Sequence, residues 1–153
     1  RPRPLCYTTF LLCRKNTAIV SLQVIGGSVT VIQGGTAILP CHVIDTNDDL
    51  TQISWQRRTR EKPRNDNFLT ILPREGAQFV NGGDDRFKYI GNFNNKNGTL
   101  QLSNVALKDE GRYTCIFTFF PSGNQKTEIP LNLLGIKTFF LFSLKNSVCS
   151  YVR

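Results

Sequence analysis

The chain has one histidine, so acid–base chemistry at neutral pH would have to be built around His42. It directly follows Cys41, and strand alternation makes it the outward neighbour of a core residue, a solvated surface group rather than a base. No Cys/His cluster has zinc-ligand spacing, and no glycine-rich phosphate loop leads into a helix. Asp48-Asp49 and Asp84-Asp85 fall in loops as turn formers, with weak calcium binding as the alternative chemistry. No catalytic residue, metal site, cofactor or small-molecule substrate is expected, and the chain does not read as an enzyme. What remains is thiol oxidation and glycan attachment. Of five cysteines, Cys41 and Cys115 lie within apolar, strand-rich sequence, and a bond between them persists only in an oxidising compartment. Cys6, Cys13 and Cys149 are an odd set: either Cys6 bonds Cys13, or all three belong to sequence foreign to the folded unit, the preferred reading. Asn97-Gly98-Thr99 is a glycosylation sequon in a turn before a strand, where an acceptor would be exposed; an asparagine-rich turn without sugar fits equally well.

These residues must be held by short strands. Val29–Ile32, Ala37–Val43, Gln52–Gln56, Phe68–Leu72, Arg86–Ile90, Thr99–Leu102, Arg112–Phe119 and Thr127–Leu133 are rich in β-branched, aromatic and aliphatic residues. Gly, Asn, Asp and Pro clusters separate them, and no window keeps a helical apolar period beyond about two turns. Many short strands without repeats imply an all-β sandwich or barrel.

Charge divides the chain into three. The formal net charge is +8, but all eleven acidic residues lie between Asp45 and Glu128. Residues 22–134 carry twelve Lys and Arg against those eleven, about +1, and the other seven basic residues are in the ends. A stripe that tracks phosphates should lie on the folded unit, so no nucleic-acid partner is expected. The organisation read is therefore a leader or non-native extension over 1–21, a folded domain over 22–134, and a disordered extension over 135–153. In the first, the apolar patch Leu5–Leu12 is short, carries two threonines and is followed by Arg14-Lys15, unlike a secretory signal. In the last, TFFLFSL has seven residues, where a helix needs about 20 to cross a bilayer.

Spacing selects the sandwich. Trp55 follows Cys41 by fourteen positions and Cys115 follows Trp55 by sixty. A Cys on each sheet with a Trp packed on their bond is the hallmark of the immunoglobulin sandwich, and the long interval suits a V-type domain. Tyr113 stands two residues before Cys115, the tyrosine-corner position, and Asp109 is placed to pair with Arg86 across the open end. Alternation from Trp55 sends Ile53 inward and Gln52, Ser54 and Gln56 outward; alternation from Cys115 buries Tyr113, Phe117 and Phe119. Thr114, Ile116, Thr118 and Phe120 then share the outer face of the same sheet. Ile116 and Phe120 are apolar there without an intramolecular reason, as on a protein-binding face.

Thr51-Gln52 before Ile53-Ser54-Trp55, and the run from Asn97 to Gly123 ending in Phe-Pro-Ser-Gly, resemble the first domain of nectin and poliovirus-receptor-like adhesion proteins over about Val29–Leu134. The resemblance implies docking front sheet to front sheet. Thr51 and Gln52 match that family's Ser/Thr-Gln pair. Phe120 and Pro121, before Gly123, match the loop whose aromatic enters the partner's pocket, although Phe119 replaces a threonine. Gly76 fits the family's pocket-shaping glycine, but Leu69 stands where an alanine is expected, and its bulk would fill the pocket. The implied protein is a cell-surface adhesion or immune-recognition module whose anchor lies outside this chain. Its partner would be a cell-surface protein of the same or a related Ig family, homodimers included. A soluble decoy receptor and an antigen-receptor-like variable domain are the alternatives; the second lacks the Phe-Gly-x-Gly bulge in its last strand.

Overall fold

The computed structural model describes residues 23–80 and 82–135. The expectations for 1–21, for nearly all of 135–153, and for Cys6, Cys13 and Cys149 lie outside the described residues. Within them the chain forms eleven strands: β1 Gln23–Ile25, β2 Val29–Ile32, β3 Ala37–Leu39, β4 His42–Ile44, β5 Asp49–Thr59, β6 Asp66–Leu72, β7 Gly76–Phe79, β8 Phe87–Tyr89, β9 Leu100–Leu102, β10 Gly111–Phe120 and β11 Gly123–Leu134. A 3-10 turn at Leu107–Asp109 is the only helical element among them.

Six strands make the front sheet in the order β2-β11-β10-β5-β6-β7; β3-β9-β8 and the pair β1-β4 face it from behind. The middle of the front sheet is antiparallel, and β2 joins its edge in parallel with β11. The two layers bury Leu39, Ile53, Trp55, Leu69, Ile71, Leu100, Leu102, Tyr113, Phe117, Ile129 and Leu131, all under 2% exposed. Cys41 bonds Cys115 through this core and links the sheets. The Trp55 indole Nε1 donates to the Gly98 carbonyl at 2.9 Å, so its polar edge is satisfied where the ring is fully buried.

Two departures from the sequence reading have local causes. The single strand expected over Ala37–Val43 is split into β3 and β4, because Pro40 has no amide to donate. At the break the Gly98 amide donates to the Cys41 carbonyl at 2.8 Å and the Cys41 amide reaches Thr99 Oγ1 at 3.4 Å, so side-chain and loop partners replace the ladder. Strands β1 and β7 were not anticipated; both are short edge pieces whose side chains are at most half-buried.

The tyrosine corner is a compact prediction in itself. The Tyr113 hydroxyl donates to the Asp109 carbonyl at 2.8 Å, inside the core. Tyr113→Phe strands that carbonyl while leaving the ring, and should lower the unfolding free energy by about 1–2 kcal/mol. Urea titration of the pair would measure it, and coincident curves would show that the bond contributes nothing net.

Candidate functional site

Strand β10 rises to Phe120 and β11 descends from Gly123, with Phe119 opposite Gly123. Phe120 is 70% exposed, whereas its neighbour Phe119 is 3% exposed and stacks on Phe117 at 6.1 Å. Alternation thus separates two adjacent phenylalanines, one as core and one as surface. The turn between them and β11 is built from Pro121, joined to Phe120 by a cis bond, Ser122, and Gly123 at φ +88°. A side chain at Gly123 would be strained in that left-handed conformation. The Ser122 hydroxyl bonds the Asp48 carboxylate, which ties the tip to the loop preceding β5.

On the adjoining strand the register slips between Thr118 and Phe119: Thr118 faces Gln52, but Phe119 faces Leu50. Thr51 is the extra residue of this bulge, so strict alternation, which would turn it inward, fails there. Its side chain is exposed, and its hydroxyl donates to the Thr118 carbonyl at 3.0 Å. Gln52 Nε2 donates to Ser54 Oγ at 3.1 Å. Ile116 faces Ser54 and Lys126, and Thr114 faces Gln56 and Glu128. Ser54 and Thr114 are 8% and 5% exposed although they point outward, because the longer side chains around them cover their short ones. The centre of the sheet is therefore a shallow polar floor edged by Gln52, Gln56 and Ile116, all half-buried, with Phe120 standing at its upper end.

Thr51, Gln52, Phe120, Pro121 and Gly123 come together at that end, and Gln56 and Ile116 lie lower on the same face. Gly76 sits two strands away, opposite Leu72 in the β6–β7 turn, where φ +74° accounts for its identity. The expectation for Leu69 needs correction. It pairs with Trp55, is 0% exposed and packs in the core, so it fills no pocket on the outer face. The β-bulge after Trp55 inserts Phe68 beside it, and both are buried in succession. The outward position is Thr70, between Ser54 and Gln78.

Asn97 is half-buried rather than freely exposed. Its Oδ1 accepts from the Thr99 amide at 2.9 Å and the Thr99 hydroxyl at 2.6 Å, and its backbone bridges to His42 and Asn92. His42 is half-buried as well.

The charged groups gather at the opposite end. Arg86 holds Asp109 through Nη1 at 2.6 Å and Nη2 at 2.9 Å, and holds Asp84 through Nε and Nη2 at 3.1 and 2.9 Å. Burial works against the Asp109 carboxylate, yet the Arg86 fork and the Ala106 amide at 2.7 Å outweigh it and keep the carboxyl below the usual range. The same fork holds Asp84 low. Burial pushes the Tyr113 phenol well up, and that of Tyr89 up to about 12. Arg57 lies over the Phe68 and Phe87 rings at 5.1 and 5.9 Å, with Nε 3.6 Å from Asp66. Sequence reasoning missed this stack, because Arg57 lies on the inward side opposite Tyr113. Among the described residues no group of His, Cys, Asp and Glu could hold a metal ion.

A family model of the immunoglobulin V-set domain matches residues 26–134. Nectin-2 of Mus musculus is 31% identical over 101 residues, covering 61% of this chain and 18% of that protein. Nectin-2 of Homo sapiens is 29% identical over 138 residues, 80% of this chain and 25% of that protein. Cell adhesion molecule 2 of Homo sapiens is 30% identical over 116 residues, 71% of this chain and 21% of that protein. The chain thus spans a quarter or less of the length of these relatives.

Proposed function

From a chain that belongs to the immunoglobulin V-set family and is nectin-like within it, we propose a protein-binding module of an adhesion or immune-recognition receptor that docks through its front sheet. The observation that carries this is Phe120: a large apolar ring, 70% exposed, held at a tip by a fixed turn above a polar floor. An exposed aromatic next to satisfied polar groups is the composition of an interface anchor. Thr51, Gln52, Gln56, Ile116, Pro121 and Gly123 form the surround, and Gly76 shapes its far edge. The partner is a cell-surface protein of the same or a related Ig family. Self-association is included, since Leu69 lies in the core and offers no obstruction. Residues 22–134 are the folding unit, placed outside the cell, and its work is binding rather than catalysis.

An interface of standard size, about 1,600 Å² in total, would have its affinity concentrated in that anchor. Phe120→Ala should weaken binding by at least about 2 kcal/mol, some thirtyfold, with the melting temperature unchanged. The measurement is surface plasmon resonance with the chain itself and the ectodomains of Nectin-2 and cell adhesion molecule 2 as analytes. Undiminished binding by the variant would remove the proposal.

A further inference from the structure

The turn joining β5 to β6 concentrates charge in a domain that is nearly neutral overall. Residues 57–64 read RRTREKPR, five basic side chains against one carboxylate. The turn is closed by its own bonds: the Thr59 amide donates to the Lys62 carbonyl at 2.9 Å, and the Lys62 amide to Thr59 Oγ1 at 3.2 Å. Arg58, Arg60, Lys62 and Arg64 are exposed. Arg58 also stands directly opposite Arg112, an exposed residue of β10. Like charges directly opposed across a ladder destabilise it. Arg112 pairs with Glu128 at 3.3 Å, and Lys62 and the inward Arg57 share Asp66 at 3.1 and 3.6 Å, so among the described residues Arg58, Arg60 and Arg64 are the cations of this turn in no ion pair. An open groove of about 440 Å³ runs from Arg60 to Lys108, walled also by Glu61, Leu107 and Glu110. Glu110 already accepts the Leu133 amide at 2.9 Å.

We propose that this end of the domain binds a sulfated polysaccharide chain of the cell surface. Closely spaced cations on a fixed turn suit a polymer with dense, regularly placed sulfates, a recognised use of short Lys/Arg-rich runs. Nucleic acid fits less well. The Cys41–Cys115 bond belongs to an oxidising compartment, and residues 60–65 offer no aromatic ring for base stacking. The site rests on the extracellular placement proposed above, but not on Phe120, which lies at the other end of β10.

The test uses the full chain and immobilised heparin across a salt series. Arg58→Ser/Arg60→Ser/Arg64→Ser should raise the apparent Kd at least about tenfold and lower the slope of log K against log salt by up to about 3, near one per lost contact. Lys137→Ser/Lys145→Ser, in the basic C-terminal extension, should change little, and unsulfated hyaluronan should not compete. Phe120→Ala should bind heparin as the parent does, and the triple variant should keep its protein partner, so each proposal can fail alone. Heparin affinity unaltered in the triple variant would overturn the site. So would equal competition by hyaluronan, or equal, turn-dependent binding to phosphatidylserine vesicles.

Discussion

Asp109→Ala is expected to lower the unfolding free energy by about 3 kcal/mol, the lower part of the range for breaking a buried ion pair. The carboxylate is 5% exposed and serves three partners: both Nη atoms of Arg86, and the Ala106 amide. Its removal leaves that amide without its acceptor and Arg86 with one carboxylate instead of two. The figure stays at the lower end because Arg86 is 22% exposed and keeps Asp84. Asp109→Asn keeps an oxygen for Ala106 but loses the charge, and should fall between the parent and the alanine variant. The cluster also sets an acid limit. Asp109 and Asp84 titrate below their ordinary range when folded, so the unfolded chain takes up protons first as pH falls. Their contribution is complete above about pH 4, the unfolded carboxylate value, and is lost as pH drops toward the folded values. Denaturation midpoints between pH 7 and 2 would trace that limb, and Asp84→Asn/Asp109→Asn should flatten it. An equally steep limb in the double variant would assign acid sensitivity elsewhere.

Cys115→Ser should largely abolish secretion of folded domain. The bond spans 74 positions, and closing a loop of that size restricts the unfolded chain by about 4 kcal/mol in the chain-entropy account. The substitution also puts a hydroxyl into a site that is 0% exposed, where a sulfur now lies beside Gly98. A domain of this size typically has about 5–15 kcal/mol in total, so the loss removes between about a quarter and four-fifths of it. Secreted yield from matched cultures, with the urea midpoint of any soluble protein and of reduced parent, gives the answer. Normal yield and an unaltered midpoint would show that the core alone suffices.

The frame was legible because its parts have strict demands. A buried Trp needs an acceptor, two cysteines must meet across layers, and a tyrosine hydroxyl in the core needs a carbonyl, so spacing alone carries information about Cys41, Trp55, Tyr113 and Cys115. The edges were not legible. Strand β7 pairs on one side only, and Gly76–Phe79 is too exposed to require alternation. Bulges were the other blind spot. An inserted residue costs the ladder little but resets every inference drawn from alternation, which is how Thr51 came outward and Phe68 came to be buried beside Leu69. Arg57 shows the same limit: its charge suggests solvent, while its place opposite Tyr113 lays it over two rings.

The arrangement of β10 and β11 has a mechanical consequence. A pull on the Phe120–Gly123 tip, held at Leu134, runs along the length of β11. Its hydrogen bonds to β10, over the nine positions from Gly111 to Phe119, and to β2, from Val29 to Ile32, lie across that line. They are loaded together in shear rather than peeled one after another. The Cys41–Cys115 bond fastens the middle of β10 to the opposite layer. A tether under tension through this tip therefore strains the whole ladder before any single strand can leave it.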